Sequence, residues 1–264
     1  MQKKENLISV IVNCYNGEKF LKNCINSILN QTYKNFEIIF LDNNSSDQSI
    51  KIIKEFASPK IKLFQNQNYL KLYEARNLAI TKSEGNFITF LDTDDWWDKD
   101  KLQKQLDEFL LNREISFTYS NFFKFFQKKE NMQLAHNSVL PSGDITQDSL
   151  NKYKIGILTT MIRREVFDSF KFNSKYEIIG DFDFFIKISQ QYLAKGINQP
   201  LAYYRIHEKN LSKEKSSLYI KELEHWLLEN KKELNTKGYS LKKQKILLFK
   251  LKLKEFLKKF NLYF

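Results

Sequence analysis

The chain has 264 residues, of which 42% are apolar and 15% aromatic, and this is enough apolar material for one sizeable hydrophobic core or two small ones in close contact. The composition excludes an intrinsically disordered chain, a collagen-like repeat and a small disulfide-stapled fold. The net charge of +12 first suggests a polyanionic partner. However, only five of the 43 basic residues are arginine, the residue that readers of bases and phosphates favour. We therefore do not expect nucleic acid as a partner.

The basic excess lies mainly at the end of the chain. Residues 211–264 hold 14 Lys and 6 Glu, a net charge of +8, whereas the first 210 residues carry only +4. The two cysteines, Cys14 and Cys24, have a spacing that fits neither a metal knuckle nor a disulfide framework, which favours a reducing compartment. The sequence shows no secretory signal pattern and no run of 18 apolar residues. We therefore expect a cytoplasmic protein.

Short apolar strands alternate with helices over the first 95 residues. The strands are predicted at 7–13, 36–41, 61–64 and 87–91, and the helices at 17–30, 48–56 and 72–82. This alternation favours βαβ units and a largely parallel sheet with helices on both faces. In such sheets ligands bind at the carboxyl ends of the strands. The polar segments 13–16, 42–47 and 92–95 follow three of these strands and are candidate binding segments.

The alternation is lost in the second half of the chain. The predicted elements are a helix at 98–111, a long strand or hairpin arm at 115–126, a polar mobile loop at 127–152, a strand near 157–162, a helix near 182–193, a strand near 199–206, and helices at 216–234 and 241–260. The whole pattern predicts an α/β fold with a mostly parallel central sheet, flanking helices and a C-terminal helical extension.

Three carboxylates, Asp92, Asp94 and Asp95, follow the strand predicted at 87–91. An isolated acidic motif of this kind is often a solvated turn that caps the next helix. Here the strand is strongly apolar, so the acids emerge together at its carboxyl end, where like charges repel and favour a bound cation. Mg²⁺ and Mn²⁺ combine one or two carboxylates with substrate phosphates. Since the seven glycines form no phosphate-binding loop, such a metal would hold the phosphates.

Four motifs in this chain resemble the N-terminal half of the family 2 nucleotide-sugar glycosyltransferases. They lie within SVIVNCYNGEKFLKNCINSILNQTYKNFEIIFLDNNSSDQS, EARNLA and GNFITFLDTDD, in the expected order and at predicted strand ends. Each motif alone is weakly specific, but the four in order are specific. The resemblance covers residues 6–210. It implies a GT-A fold with a Rossmann-like, nucleotide-binding sheet, and transfer with inversion of the anomeric centre.

The resemblance implies a nucleotide-sugar site at the strand ends. The matching positions are Asn13, Tyr15, Asp42, Asn43, Arg76, Asp92 and Arg205. Asn43 stands where the family usually has a second acid, which leaves the usual preference for uridine open. In the match to the family's D-x-D motif, Asp94 is the expected metal ligand and Asp92 supports the ribose or the metal. The expected cofactor is a divalent metal, Mn²⁺ or Mg²⁺.

Residues 204–207, followed by Asn210 and Ser212, resemble the family's Y-R-x-H-x-x-N-x-S motif. The resemblance implies that His207 ligates the metal or donates to the diphosphate. Arg205 would pair with a phosphate or with an acid of the site. Without the motif, a single histidine of this kind is more often structural.

Gly180-Asp181-Phe182-Asp183 resembles the segment that carries the catalytic base in the family, with Gly180 in place of the usual Glu. Asp181 matches the base, and Asp183 is the second candidate. An acceptor hydroxyl is a poor nucleophile until a carboxylate takes its proton. The other interpretation is a helix cap, because acids at a helix N-terminus complement its dipole.

The last predicted helix carries an apolar stripe among lysines. The stripe consists of Ile246, Phe249, Leu253, Phe256, Leu257, Phe260 and Phe264. One interpretation is a terminal helix packed on the domain with its lysines in solvent. The other is an interfacial helix, formed by residues 241–264, at the anionic inner face of a membrane. The second would suit an enzyme that acts on lipid-linked acceptors.

Together these features predict three regions. Residues 1–95 would form the nucleotide-sugar-binding half and residues 96–210 the acceptor-binding and catalytic half of one GT-A domain, with a basic amphipathic extension at 211–264. We expect a metal-dependent glycosyltransferase that moves a hexose or N-acetylhexosamine from a nucleoside-diphosphate sugar, here a UDP-sugar, to a hydroxyl of a glycan or lipid-linked acceptor. Such acceptors are precursors of lipooligosaccharide, capsule or O-antigen.

Two other functions remain open on the sequence. A sugar nucleotidyltransferase has a related sheet, but it would be expected to carry a glycine-rich basic segment after the first strand, where this chain has residues 13–16. A non-enzymatic module that binds a polyanion or a membrane would depend on the tail. Removal of the tail distinguishes this module from a glycosyltransferase. The module would lose its binding, whereas a glycosyltransferase would keep its nucleotide site.

Overall fold

The structure is a computed structural model that describes residues 6–208, 210 and 215–259. In the first half, the strands and helices alternate as predicted. They are β1 (Ile8–Cys14), α1 (Glu18–Leu29), β2 (Phe36–Asp42), α2 (Ser49–Glu55), β3 (Ile61–Gln65), α3 (Leu72–Thr81) and β4 (Phe87–Phe90). The buried, β-branched runs form the strands, and the amphipathic segments between them form helices.

The second half contains more strand than the sequence predicted. Its elements are β5 (Trp96–Trp97), α4 (Lys101–Leu111), β6 (Ile115–Phe126), β7 (Asn131–Leu134), α5 (Thr146–Asn151), a 3-10 turn (Ile157–Thr159), β8 (Thr160–Arg163), α6 (Val166–Ser169), α7 (Gly180–Ser189), β9 (Leu193–Ile206), α8 (Ser216–Thr236) and α9 (Lys242–Lys259). The predicted loop at 127–152 therefore contains a strand, because β7 folds back onto the end of β6 as the second arm of a hairpin.

One sheet joins both halves of the chain, in the order β3-β2-β1-β4-β8-β6-β9-β5, with β7 beside β6. The first four strands are parallel, which confirms the prediction for the first half. The second half is mixed, because β8 is antiparallel to both β4 and β6 whereas β9 runs parallel to β6. Parallel pairing brings the carboxyl ends of β1, β2 and β4 to one edge.

Helices cover the sheet on both faces and enclose two hydrophobic clusters. Alternate side chains of β1 enter different clusters, since Val10 and Val12 pack in one and Ile11 packs in the other. A strand buried on both sides in this way reads as a continuous apolar run in the sequence. The observed architecture confirms the predicted α/β fold with flanking helices.

The C-terminal helices pack on the domain. Helix α8 contributes the buried residues Leu223, Trp226 and Leu227 to one of the two clusters. Within the described ranges, no helix is both long and apolar enough to cross a membrane.

Helix α9 packs through a face that the sequence did not single out. Leu247, Leu248 and Leu251 lie against the domain, and Gln244 donates a hydrogen bond of 2.9 Å to the carbonyl of Leu150. These four positions follow the spacing of one helical face, and the buried hydrogen bond fixes which face points inward.

As a consequence, most of the apolar stripe predicted at this helix lies on the outside. Its members Ile246, Phe249 and Leu253 are 40%, 67% and 45% exposed. A helix whose predicted apolar stripe was its packing face would bury these residues. Phe260 and Phe264 fall outside the described residues.

Candidate active site

A cavity of about 320 Å³ opens beyond the carboxyl end of β4. Arg76 from α3, Asp92 and Asp94 from the turn after β4, and Asp181 from the first turn of α7 all line it. Arg76 and Asp181, the first and the last of them, are 105 positions apart in the sequence. Hydrogen bonds from Arg76 to both Asp92 and Asp181 link the three segments at the cavity.

Arg76 is buried between two carboxylates. Its Nη1 donates to Asp181 at 2.8 Å, and its Nη2 donates to the carboxylate oxygens of Asp92 at 2.9 and 3.2 Å. The Arg76 side chain is only 3% exposed. Burial alone would lower the pKa of Arg76, but Asp92 and Asp181 outweigh it and raise that pKa, so the guanidinium stays charged. Arg76 therefore fixes the relative positions of two acids of the cavity.

Asp181 is partly shielded from solvent at the start of α7. Its side chain is 25% exposed. Burial raises the pKa of Asp181; Arg76 opposes this rise and Asp92 adds to it. A carboxylate with a raised pKa holds a proton more readily than an ordinary aspartate, which suits a group that takes a proton from an alcohol.

The packing around residue 180, just before Asp181, explains why this residue is glycine. A Cβ placed on Gly180 would lie only 2.3–2.5 Å from three ring carbons of Tyr73, so no larger residue fits unless that ring moves. The hydroxyl of Tyr73 donates a 3.1 Å hydrogen bond to the carbonyl of Ile178 in the same segment. The buried ring explains why this chain departs from the family's usual acid at this position.

Asp94, which lines the cavity, contacts His207, which is not among the lining residues. The His207 Nε2 lies 2.9 Å from the Asp94 Oδ2. Burial and the neighbouring Asp92 raise the pKa of Asp94. Burial raises that of Asp95 still further, with added repulsion from Asp94 and Asp92. Acids crowded in this way are stabilised in their charged form by a cation.

The third predicted metal ligand, Asp92, is held by Arg76. In the described part of the chain, no three His, Cys, Asp or Glu side chains are placed to hold a metal ion. Asp94 nevertheless offers a carboxylate of the kind that Mg²⁺ combines with substrate phosphates, and the His207 imidazole lies beside it as a second donor.

Arg205 contacts the turn that carries the acids. Its Nε donates to the backbone carbonyl of Asp94 at 2.8 Å, and its backbone N–H donates to the Asp95 carboxylate at 2.8 Å. Its guanidinium also lies over the rings of Phe20 and Trp96, at 4.4 and 4.5 Å from their centroids. The predicted partners of Arg205 are a phosphate or an acid of the site. The structure shows Arg205 in contact with the turn that carries the acids. Ser212 of the same motif falls outside the described residues.

The second candidate base, Asp183, points away from the cavity. Its side chain is 1% exposed, and its two oxygens accept hydrogen bonds from Trp226 Nε1 at 2.9 Å and Lys187 Nζ at 2.8 Å. Both partners are structural, and neither the acid nor its partners line the cavity. The structure thus brings Asp181, and not Asp183, to the site.

Polar atoms without partners lie at the ends of β1 and β2, on residues that are not among those lining the cavity. Both side-chain polar atoms of Asn13 and the Oδ1 of Asp42 are buried and have no hydrogen-bond partner among the described residues. The exposed side chains of Tyr15 and Tyr69 contact each other, with ring centroids 4.8 Å apart. Unsatisfied buried polar groups are costly, so these atoms indicate a ligand that hydrogen-bonds there.

Asn43 holds a loop in place. Its Nδ2 donates to the carbonyl of Leu70 at 2.7 Å, and its Oδ1 accepts from the N–H of Leu70 at 3.0 Å and from Asn66 at 3.2 Å. A carboxylate could not donate to the carbonyl of Leu70. The amide at this position therefore serves the loop that carries Tyr69, which explains the departure from the usual second acid.

A family model described as Glycosyl transferase family 2 matches residues 9–185 of the chain. The chain belongs to this family. The matched region contains β1 to β8 and the first turns of α7, and it ends before β9 and the two C-terminal helices.

Two curated relatives of this family 2 chain come from bacteria. The UDP-Glc:alpha-D-GlcNAc-diphosphoundecaprenol beta-1,3-glucosyltransferase WfgD of Escherichia coli is 35% identical over 166 residues, which are 63% of this chain and 64% of the relative. An uncharacterized glycosyltransferase of Haemophilus influenzae is 36% identical over 184 residues, 68% of this chain and 70% of the relative. The match therefore spans just under two thirds of the first relative's length.

Solved structures share the fold. S. aureus TarS in complex with UDP superposes with a TM-score of 0.66 at 19% identity, over 83% of this chain and 65% of that chain. The mannosyltransferase PcManGT from Pyrobaculum calidifontis, in complex with GDP-Man and Mn²⁺, gives a TM-score of 0.60 at 15% identity, over 86% and 64% of the two chains. These matches confirm the predicted GT-A fold of the family 2 chain.

Sequence reasoning missed several residues of this family 2 site. Tyr73 and Lys124 line the cavity, but each is a single residue in an amphipathic or aromatic-rich segment and gives no signal of its own. Tyr73 could have been found from its position three residues before Arg76 on one face of α3. Lys124 could not, since the pairing of β6 with β9 decides where its side chain lies.

Proposed function

We propose that this family 2 protein transfers a sugar from a UDP-sugar to a hydroxyl of a lipid-linked surface-glycan precursor, with Asp181 as the base. The observation that carries the proposal is that Asp181 and Asp94 line one cavity although 87 positions separate them in sequence. A base for the acceptor and a phosphate site for the donor are the two groups that direct displacement at an anomeric carbon needs. Transfer by a single displacement inverts that carbon.

In this proposal Asp181 takes the proton of the acceptor hydroxyl as the oxygen attacks the anomeric carbon. Arg76 holds the carboxylate in one orientation through its 2.8 Å hydrogen bond. The shielded position raises the pKa of Asp181, which makes the carboxylate a better proton acceptor. The donor's diphosphate would lie on the other side of the sugar, towards Asp94 and His207.

Asp94 and His207 are the residues that would hold a divalent metal. Their side chains already contact each other at 2.9 Å, and the crowded acids around them favour a cation. When bound, the metal would stabilise the negative charge of the departing nucleoside diphosphate. Arg205 fixes the backbone of this acidic turn through the carbonyl of Asp94.

Uridine is the nucleoside that we propose. The free Oδ1 of Asp42 is a buried acceptor, and the N3–H of uracil is a donor that would satisfy it. Asn13 offers both a donor and an acceptor to the remaining polar atoms of the nucleoside. The exposed rings of Tyr15 and Tyr69 offer faces on which a base can stack. The E. coli relative is named for UDP-Glc, and TarS was solved with UDP.

A lipid-linked acceptor is consistent with the outer face of α9. Ile246, Phe249 and Leu253 expose an apolar stripe, and lysines lie at positions 245, 250, 252 and 254 around it. Apolar side chains among lysines on one helix suit the surface of an anionic bilayer. We propose that α9 rests on such a surface while the cavity receives the acceptor. The E. coli relative is named for a diphosphoundecaprenol acceptor.

A thermal-shift screen tests the donor and the metal together. The protein is heated with UDP, GDP, dTDP or CMP, each with and without Mn²⁺. A ligand that binds only the folded state raises the melting temperature by mass action. We expect UDP with Mn²⁺ to give the largest rise and the variant Asp94→Asn to lose the contribution of Mn²⁺. If no nucleotide raises the melting temperature, the proposed donor site is wrong.

A further inference from the structure

The C-terminal helix α8 lies outside the segment that the family model matches, yet it contacts the residues that precede the proposed base. We propose that α8 is a positioning element for the active site, and that Glu222 is the residue through which it acts. This inference rests on Asp181 as the base. It assigns a function to a part of the chain that the family match does not cover.

The first observation is the set of hydrogen bonds made by Glu222. Its carboxylate accepts from the backbone N–H groups of Glu177 at 2.7 Å, Ile178 at 3.0 Å and Ile179 at 3.1 Å. Glu222 is only 8% exposed. These N–H groups belong to the turn just before α7. Hydrogen bonds from N–H groups to a carboxylate are charge-assisted and stronger than neutral ones.

Glu222 supplies a cap that the sequence around α7 lacks. The N-cap residue of α7 is Ile179, whose apolar side chain makes no capping hydrogen bond. The first N–H groups of a helix have no partner within the helix and need one from elsewhere. The Glu222 carboxylate accepts from one of these groups, the N–H of Ile179, and from the two N–H groups just before it, and it complements the positive end of the helix dipole. The conformation of the turn therefore depends on α8.

The second observation is that one face of α8 follows this segment over two turns. Glu222, Trp226 and Glu229 have the spacing i, i+4, i+7 of a single helical face. Trp226 donates to Asp183 at 2.9 Å, and Glu229 accepts from the hydroxyl of Tyr176 at 3.2 Å. The ring of Trp226 also packs edge-on against Phe182, at 4.7 Å between centroids. These contacts bracket Asp181 on both sides.

The third observation is that the capped turn forms part of the cavity. Glu177 and Ile178 line it beside Asp181, and the carbonyl of Ile178 accepts the hydroxyl of Tyr73. Loss of the cap would free this wall and the first turn of α7 at once. A displacement of about 1 Å in a reacting group can cost up to about a hundredfold in rate. Glu222 thus acts on the reaction without touching the substrate.

The test compares Glu222→Gln with Leu234→Ala in the full-length protein. Leu234 is 2% exposed and lies on the same helix, 12 residues further along, or about 18 Å. Its truncation lowers stability without removing the cap. At a temperature well below both melting points, we expect Glu222→Gln to lower kcat at least about tenfold with the donor KM unchanged. Leu234→Ala should keep the kcat of the unmodified protein.

Amide hydrogen exchange gives a second measurement that needs no substrate. Glu222→Gln should speed the exchange of residues 177–181, and Leu234→Ala should not. Unchanged exchange at these residues, or faster exchange with kcat unchanged, would overturn the inference. If the unmodified protein transfers no sugar from any UDP-sugar, the proposed function itself fails, and the exchange experiment shows separately whether α8 orders this turn.

Discussion

The guanidinium of Arg76 donates a 2.8 Å hydrogen bond to Asp181, which joins helix α3 to the first turn of α7. The same side chain holds Asp92, so one buried cation sets the distance between two acids of the cavity. Arg76 therefore links the turn after β4 to the first turn of α7.

Arg76→Ala should abolish transfer and destabilise the protein. Removing one partner of a buried ion pair leaves the others uncompensated, which typically costs 3–5 kcal/mol. Because the side chains of Asp181 and Asp92 are 25% and 38% exposed, we expect a loss nearer about 2 kcal/mol. Denaturant unfolding measures it, and an assay at low temperature separates activity from folding.

Arg164→Ala is the matched control for Arg76. Arg164 is half-buried, whereas Arg76 is buried; it donates to Ser83 and lies at the opposite end of the sheet. The Arg164→Ala substitution should lower the stability of the protein and leave its kcat unchanged. Equal kcat values for the two variants at matched folded fractions would contradict the role given to Arg76.

The pH dependence of transfer should show the raised pKa of Asp181. The base must be ionised to take a proton, so kcat/KM falls as the pH falls through its pKa. Because burial raises that pKa, the acid limb should lie above the ordinary aspartate value of about 4. The measurement is kcat/KM from pH 4 to 8 at constant ionic strength. A rate that is already flat at pH 4 to 5 would contradict the raised pKa.

Asp42→Asn should weaken UDP binding by about tenfold. The carboxylate accepts from the N–H of Ser45 through Oδ2 and leaves Oδ1 for a ligand. An amide has one acceptor and cannot serve both, and one lost hydrogen bond is worth about 1 kcal/mol or more. Calorimetric titration with UDP measures the change. Glu55→Gln, at an exposed position, serves as the control. An unchanged UDP affinity in Asp42→Asn would remove Asp42 from the nucleoside site.

The alternating elements of the first half were predictable because three of its four strands, β1, β2 and β4, are buried on both faces and the helices between the strands have an apolar face. The residues at the strand ends were predictable for the same reason, since parallel strands bring their carboxyl ends together. Asp92 and Asp94, which follow β4, therefore reach the cavity. Asp181 lies at the start of α7, and only the resemblance to the family pointed to it.

Contacts between distant segments were not predictable. Asp183 looks like a second base in the sequence, but Trp226, more than forty residues further along the chain, donates a hydrogen bond to its carboxylate. Asn43 looks like a weakened nucleotide contact, but its amide holds the backbone of Leu70. The packing face of α9 depends on the hydrogen bond of Gln244 to Leu150. In each case a partner far along the chain decides what a side chain does.

Phe249→Glu should weaken binding to anionic vesicles. Phe249 is 67% exposed on the outer face of α9, so the substitution should leave the fold intact and remove the apolar anchor. Cosedimentation with vesicles that contain phosphatidylglycerol measures the effect, with neutral vesicles and high salt as comparisons. Leu111→Glu, at an 83% exposed position of α4, should bind as the unmodified protein does. Equal binding by Phe249→Glu and Leu111→Glu would contradict the proposed membrane face.

The most direct test of the central claim is the rate of sugar transfer from UDP-sugars in Asp181→Asn and Asp183→Asn, measured side by side. Asp181→Asn should lose transfer by about a hundredfold or more, and it should keep its fold and its UDP affinity. Asp183→Asn should keep most of the rate, because its remaining oxygen can still accept from Trp226. Full transfer by Asp181→Asn, or selective loss in a folded Asp183→Asn, would contradict the assignment of Asp181 as the base.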